Sequence, residues 1–300
     1  MNEQDYYFLQ DLYRIKNITR VAQLHYLSQP AMTKRIRRIE EELGCQLVLR
    51  SKRGITFTPA GELVVRHSRE MTQRNDQLRA ALNQLQGVVG GTLSFGVSLN
   101  YSRYRLPAAL RRYQELYPLV DIEVMADHSD DLYQLMLDHQ LLVAIIRGAH
   151  PWPEGCIRLS SEPLCLVCSR ENVSRPLGDY PYIRHQSDSD LSQLTEQWLI
   201  ERGLSPAARL CVNDIASCRE LAAAGVGWSI IPSICLDGFD GSVTPLRLAD
   251  GTPLERRTYV LYRHSQIELP QVKCFFDVLQ ECEHGGRQTA APSGEVSADA

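Results

Sequence analysis

The sequence predicts a mixed α/β chain in three unequal parts: a small basic helical domain closed by a β-hairpin, one long helix, and a larger two-lobed α/β domain. Three observations carry this. Residues 17–43, NITRVAQLHYLSQPAMTKRIRRIEEEL, read as two short helices joined by a tight turn, with a hairpin following. Residues 59–86 hold a seven-residue apolar repeat without a break. From Thr92 onward, short apolar strands alternate with amphipathic helices.

The first helix covers residues 3–16, with Phe8, Leu9, Leu12 and Ile15 spaced to support the two helices after it. Asn17 is placed to cap the second, which carries Ile18, Val21, Ala22 and Leu24 on one side. Ser28 caps the third, and Pro30 falls in its first turn, where a missing N–H costs little. Met32, Ile36, Ile39 and Leu43 recur at spacings of four, three and four, which makes one buried stripe. The opposite side offers Gln29, Thr33, Lys34, Arg37 and Arg38.

Residues 47–49 and 55–57 then flank Arg50, Ser51, Lys52, Arg53 and Gly54, a hairpin with three cations at its tip. Small polar groups and cations on one helix face suit the base edges of the DNA major groove, and a basic hairpin beside it suits the backbone or minor groove. The pattern is a winged helix-turn-helix over residues 1–58. Ser28, Gln29, Pro30, Thr33, Lys34, Arg37, Arg38, Arg50, Lys52 and Arg53 are the expected contacts to double-stranded DNA. Charge supports this: the first ninety residues hold 14 Lys+Arg against 9 Asp+Glu, whereas the remainder holds 18 against 27.

Thr58 and Pro59 start a long helix that runs to about Gln86. Val64, Met71, Leu78 and Leu85 fall seven apart, with Ser68, Asn75 and Leu82 between them. A stripe this long beside a small domain is expected to meet a second copy, with pairing strongest around Leu78, Leu82 and Leu85. Residues 87–91, GVVGG, break the helix and form a hinge, so 59–90 make the linker.

Strands are expected at 93–97, 122–125 and 142–146 and helices at 105–116 and 130–139, giving a mainly parallel sheet. A second block repeats the theme from Tyr182 to Ile231, and residues 269–282 form a closing helix. The lobes are then about 91–168 with 263–284, and about 169–262, with crossings near Cys168-Ser169 and Tyr262-Arg263. Residues 285–300 are small, polar and aperiodic, and are expected to be disordered.

The stretch FLQDLYRIKNITRVAQLHYLSQPAMTKRIRRIEEELGCQLVLRSKRGITFTPAGE resembles the N-terminal domain of LysR-type transcriptional regulators. The residues that carry the resemblance are Ala22, Leu24, Ser28 to Ala31, Ile36, Leu43-Gly44, Leu47, Arg50, Thr58 and Ala60-Gly61. Thr33 stands where the family often has serine, and Asn17-Ile18-Thr19 replaces a commoner Ser-Phe-Thr. The resemblance implies a regulator whose C-terminal domain is like a periplasmic binding protein and takes a small-molecule effector. It also implies homodimers through the linker helix that pair into homotetramers.

In open α/β sheets, ligands sit beyond the carboxyl ends of strands, near helix N-termini. That rule selects Ser98, Asn100, Tyr101, Ser129 and Arg147 in the first lobe, and Arg184, His185 and Asn213 in the second, as expected effector contacts. Ser98, Asn100 and Ser129 also match family positions that line the effector cleft. Arg147 ends an apolar strand, and two roles stay open for it. It binds a carboxylate effector bidentately, or it pairs with Asp127 or Glu154 to support the fold. Tyr101, Trp152 and His185 offer stacking surfaces or plain packing.

No charged-then-apolar leader opens the chain and no apolar run approaches 18 residues, so a cytoplasmic protein without membrane contact is expected. Nine cysteines, an odd number, argue against a disulfide framework. Cys165 and Cys168 have zinc spacing, but a strand sends them to opposite faces and no second pair completes four ligands, so no metal or cofactor is expected. An alternative control by thiol oxidation would use Cys211 and Cys218, with Arg219 lowering the thiolate pKa. An enzyme or solute carrier is disfavoured, because no nucleophile–base pair is visible and the basic domain would have no purpose.

Overall fold

The computed structural model describes residues 1–51, 54–85, 88–207 and 210–285. The chain forms two compact units that divide at Gly91-Thr92. Among the described residues, no helix is long and apolar enough to cross a membrane.

Unit one contains α1 (Glu3–Ile15), α2 (Ile18–Leu24), α3 (Gln29–Leu43), a hairpin of β1 (Val48–Ser51) and β2 (Gly54–Phe57), and α4 (Pro59–Leu85). All three expected caps form: Asn17 accepts from the Arg20 N–H, Ser28 from the Ala31 N–H and Thr58 from the Gly61 N–H. Phe8, Leu9, Leu12, Val21, Met32, Ile36 and Ile39 build the core. Leu24 and Leu43 do not join it. Each ends its helix, and they are 49% and 40% exposed. The hairpin pairs Ser51 with Gly54, so Arg50 belongs to strand β1 rather than to the tip. Gly54 has φ +121°, and a Cβ there would stand 3.0 Å from the Lys16 carbonyl oxygen, so only glycine fits this corner.

Unit two opens with β3 (Gly91–Ser98), α5 (Leu99–Tyr104), α6 (Leu106–Leu116), β4 (Val120–Asp127), α7 (Ser129–Leu137), β5 (Val143–Arg147) and β6 (Gly155–Cys168). It continues with β7 (Ile183–His185), α8 (Ser189–Glu201), β8 (Leu210–Val212), α9 (Ile215–Ala223), β9 (Ser229–Pro232) and β10 (Ser242–Pro245). It closes with β11 (Glu255–Tyr262), α10 (His264–Ile267) and α11 (Pro270–Gly285). The main sheet has the order β10-β6-β11-β5-β3-β4, with β9 also on β6. β3 and β5 run parallel, but β11 pairs antiparallel with both β5 and β6, so the sheet is mixed rather than mainly parallel.

Strand β6 went unread over its first half, and the lobe crossings move with it. From Gly155 to Pro163 it pairs with β11, and from Leu164 to Cys168 with β9 and β10. The change of partner at Pro163-Leu164 replaces the expected crossing at Cys168-Ser169. Proline, which has no N–H to give a ladder, sits where the partners change. On the return strand the change falls at Leu254-Glu255, because all of β11 pairs with the first half of β6 and its Thr258–Tyr262 part also with β5, and Tyr262-Arg263 is its far end. Residues 286–300, where disorder was expected, lie outside the described residues, as does Gly87 of the expected hinge.

Candidate functional site

Unit one presents a groove of ≈ 1120 Å³ along α3. Gln29, Pro30, Thr33, Lys34, Arg37, Arg38 and Arg50 all line it. The helix puts them there because Met32, Ile36 and Ile39 are wholly buried on its other side. Ser28 is not in the groove; its hydroxyl is committed to the cap. Lys52 and Arg53 lie outside the described residues. Five lining residues were not expected: Asn2, Gln4, Ala31, Arg35 and Glu41.

Asp5 explains the position of Arg35. Its wholly buried carboxylate accepts from Arg35 Nε at 2.7 Å and from Arg38 Nη2 at 2.7 and 2.8 Å. Burial by itself would raise the Asp5 pKa. The Asn2 backbone N–H and the two guanidiniums outweigh that and hold it below the usual aspartate value. Asn2 and Asp5 also form a capping box for α1, legible in MNEQD as a cap type followed three residues later by an acid.

The apolar stripe of α4 divides. Val65, Ser68 and Thr72 are buried in unit one, and Gln10 Nε2 donates to Thr72 Oγ1 at 3.2 Å. Ser68, expected on the pairing seam, is therefore covered by its own domain. Leu78, Leu82 and Leu85 remain 60%, 52% and 84% exposed on the helix's last turns.

Unit two holds a cavity of ≈ 240 Å³. Ser98 at the end of β3, Asn100 in α5, Ser129 at the start of α7, Arg147 at the end of β5 and Asn213 after β8 all line it. Tyr101, Arg184 and His185 do not. Tyr101 turns inward, 1% exposed, and its hydroxyl donates to Glu283. The short strand β7 alternates: Arg184 faces solvent, and buried His185 meets the Gln186 carbonyl. Both line a separate small pocket with Tyr182.

Arg147 is 1% exposed, and burial, then repulsion from Arg256, lower its pKa to about 9, so it stays charged at neutral pH. Its carboxylate neighbour is Glu162 on β6, not Asp127 or Glu154. Asp127 instead accepts from the His128 N–H, and Glu154 pairs with Arg263. Arg256 on β11, 2% exposed, is the second guanidinium of the cavity and was missed. It bonds to Asp188, whose other oxygen caps α8 at the Leu191 N–H. The signal was present: Arg256, Thr258 and Val260 alternate inward along β11.

The lobes also touch at the rim. Asp130 of α7 accepts from the Ser189 N–H at 3.0 Å and from Ser189 Oγ at 3.2 Å, and Asp190 accepts from the Ala149 N–H at 3.3 Å. Gly148, φ +97°, sits so close that a Cβ would lie 2.7 Å from Asp190 Cβ.

All nine thiols are free. Cys218 is wholly buried against Ser229, and burial pushes its pKa up to about 11, opposite to the lowering expected from Arg219. Arg219 reaches the Cys235 carbonyl and Glu220 instead.

Residues 4–62 match the model of the family described as "Bacterial regulatory helix-turn-helix protein, lysR family", and residues 86–282 match "LysR substrate binding domain". The chain belongs to the LysR family. It is a DNA-binding transcriptional regulator with an effector-binding domain. This LysR-type chain is 33% identical over 282 residues to the uncharacterized HTH-type transcriptional regulator YraN of Bacillus subtilis (strain 168), covering 93% of this chain and 98% of that protein. Its fold is similar to full-length CbnR complexed with its target DNA, with 20% identity, TM-score 0.60, and 94% and 100% of the two chains covered. Full-length OxyR from Pseudomonas aeruginosa is similar too, at 17% identity, TM-score 0.66 and 95% of each chain.

Proposed function

We propose that this regulator reads DNA with α3 and the β1–β2 wing, pairs with a second copy through the end of α4, and takes its effector in the unit-two cavity. Gln29, Thr33, Lys34 and Arg37 read base edges and Arg50 contacts phosphate, and the sequence expectation adds Lys52 and Arg53 as further phosphate contacts. Arg38 contributes charge while tied to Asp5. The protein works in the cytoplasm, where its DNA is, as dimers that associate into tetramers. Effector binding changes the angle between paired DNA-binding units. Bending DNA over such a site costs on the order of 1–6 kcal/mol, so a modest tilt alters promoter geometry.

The observation that carries this reading is the α3 groove, where seven of the expected DNA-contact residues stand on one face, backed by a wholly buried stripe. Selection of bound fragments from sheared genomic DNA, followed by footprinting, tests it. The expected result is a few enriched sites with two half-sites on one helical face. Uniform recovery of all fragments at physiological salt contradicts it.

A further inference from the structure

The groove along α3 has two banks. A lone helix presents a convex face, and this one borders a hollow because the start of α1 lies beside it, bringing Asn2 and Gln4 into the lining with Lys34, Arg37 and Arg38. That second bank is anchored in the fold. Asp5, the residue after Gln4, is wholly buried and takes Arg35 and Arg38 of α3 on its carboxylate. The capping box between Asn2 and Asp5 fixes the backbone on either side of Gln4. Gln4 therefore stands on a rigid ledge tied to the middle of α3.

The Gln4 side chain is exposed, and it makes no hydrogen bond to another described group. Both N–H donors of its amide are left for an outside partner. The charge around it narrows what that partner is. Lys34, Arg35, Arg37, Arg38 and Arg50 are the cations of the groove, and Glu41 is the one carboxylate among the described lining residues. Arg35 and Arg38 together neutralise Asp5 and still leave positive charge next to Gln4. A ridge carrying negative charge fits such a hollow. On DNA that ridge is the sugar-phosphate strand, whereas the base edges lie deeper in the major groove.

We propose that Gln4 is a further DNA contact: its amide donates to a backbone phosphate flanking the bases that α3 reads, beside the donors of Arg38 that Asp5 leaves free. This rests on α3 being the reading helix. Contacts to the backbone fix how a protein sits on the duplex and carry no sequence information of their own. Gln4 is thus a positioning residue, and the ledge sets the angle at which α3 enters the major groove.

Titration of the full chain on a selected genomic site and on a random duplex, over a range of salt concentrations, tests this. Gln4→Ala weakens binding about two- to tenfold on both DNAs, the scale of one neutral hydrogen bond, and leaves the salt slope unchanged because no charge is lost. Gln4→Lys binds both DNAs more tightly and steepens the slope by about one. A scan of neutral methylphosphonates along the selected site then locates the phosphate. At one flanking position the substitution costs the wild type more than it costs Gln4→Ala, and elsewhere the two lose equally.

Full affinity in Gln4→Ala together with an unchanged slope in Gln4→Lys overturns the proposal. A loss confined to the selected site also overturns it, since that makes Gln4 a base contact. So does a lowered Tm in Gln4→Ala with no difference in the methylphosphonate scan, which makes its role structural. Lys34→Ala, measured alongside, separates the two claims. If that variant loses site preference while Gln4→Ala loses nothing, α3 reads DNA and only the ledge contact falls. If neither substitution changes binding, the groove is not the DNA-binding face.

Discussion

Asp5 of α1 receives Arg38 of α3 on both carboxylate oxygens, at 2.7 and 2.8 Å, and thereby ties the reading helix to the helix beneath it. Asp5→Asn keeps the shape and removes the charge. It is expected to cost about 2–3 kcal/mol, the scale of hydrogen bonds to a charged group, and to free Arg38. The folded-state pKa of Asp5 is depressed, so its stabilisation is complete above the ordinary aspartate value and is lost as pH falls through the depressed one. Amide exchange in α3 should therefore separate wild type from Asp5→Asn equally at neutral and mildly acidic pH. The difference closes only below the usual aspartate range. A gap that closes near neutrality would place the titrating group elsewhere.

Ser28 and Arg50 should fail in different ways. Ser28→Ala removes a helix cap, costing about 1 kcal/mol of stability while leaving site preference unchanged. Arg50→Ala should weaken binding on every sequence and reduce the salt slope by roughly one. Titrations on specific and random duplexes at several salt concentrations distinguish a cap from a phosphate contact.

The reading half of the chain was more legible than the cavity half. Periodicity and caps placed α1 to α4 to within a residue or two, because those helices draw their order from local spacing and one-sided burial. The cavity depends on strand pairing between distant residues. β6 carries polar Ser160, Ser161 and Glu162 ahead of Pro163, and β11 begins Glu-Arg-Arg, so only the far ends of the two, residues 164–168 and 261–262, read as strands. With the first part of β11 unread, Arg256 could not be placed beside Arg147. Tyr101 failed for another reason: position after a strand end does not say which way a side chain turns, and this one points into the core.

Leu78 and Leu82 are 60% and 52% exposed one turn apart on α4. Replacing both with Asp should convert the dimer to monomer without lowering the stability of the helix's buried first half. Sedimentation equilibrium gives the mass directly. An unchanged dimer would move the pairing surface away from this stripe.

The rim contacts should control how firmly the lobes close. Asp130→Ala removes the acceptor of Ser189, and Gly148→Ala drives a methyl into Asp190. Both should weaken effector binding about three- to tenfold, the equivalent of one or two neutral hydrogen bonds, and leave DNA binding intact. Calorimetry with a metabolite that binds the unit-two cavity reads this. Unchanged affinity in both would show that the rim is not part of closure.

The central claim is that the α3 groove reads DNA sequence, and the measurement that tests it most directly is a titration of a selected genomic site with wild type, Lys34→Ala and Arg37→Ala. Each substitution should cost about 1–3 kcal/mol on the selected site and much less on random duplex, so the ratio of the two affinities falls. If both variants lose affinity equally on the two DNAs, these side chains touch phosphates. If neither loses affinity at all, the groove is not the DNA-reading surface.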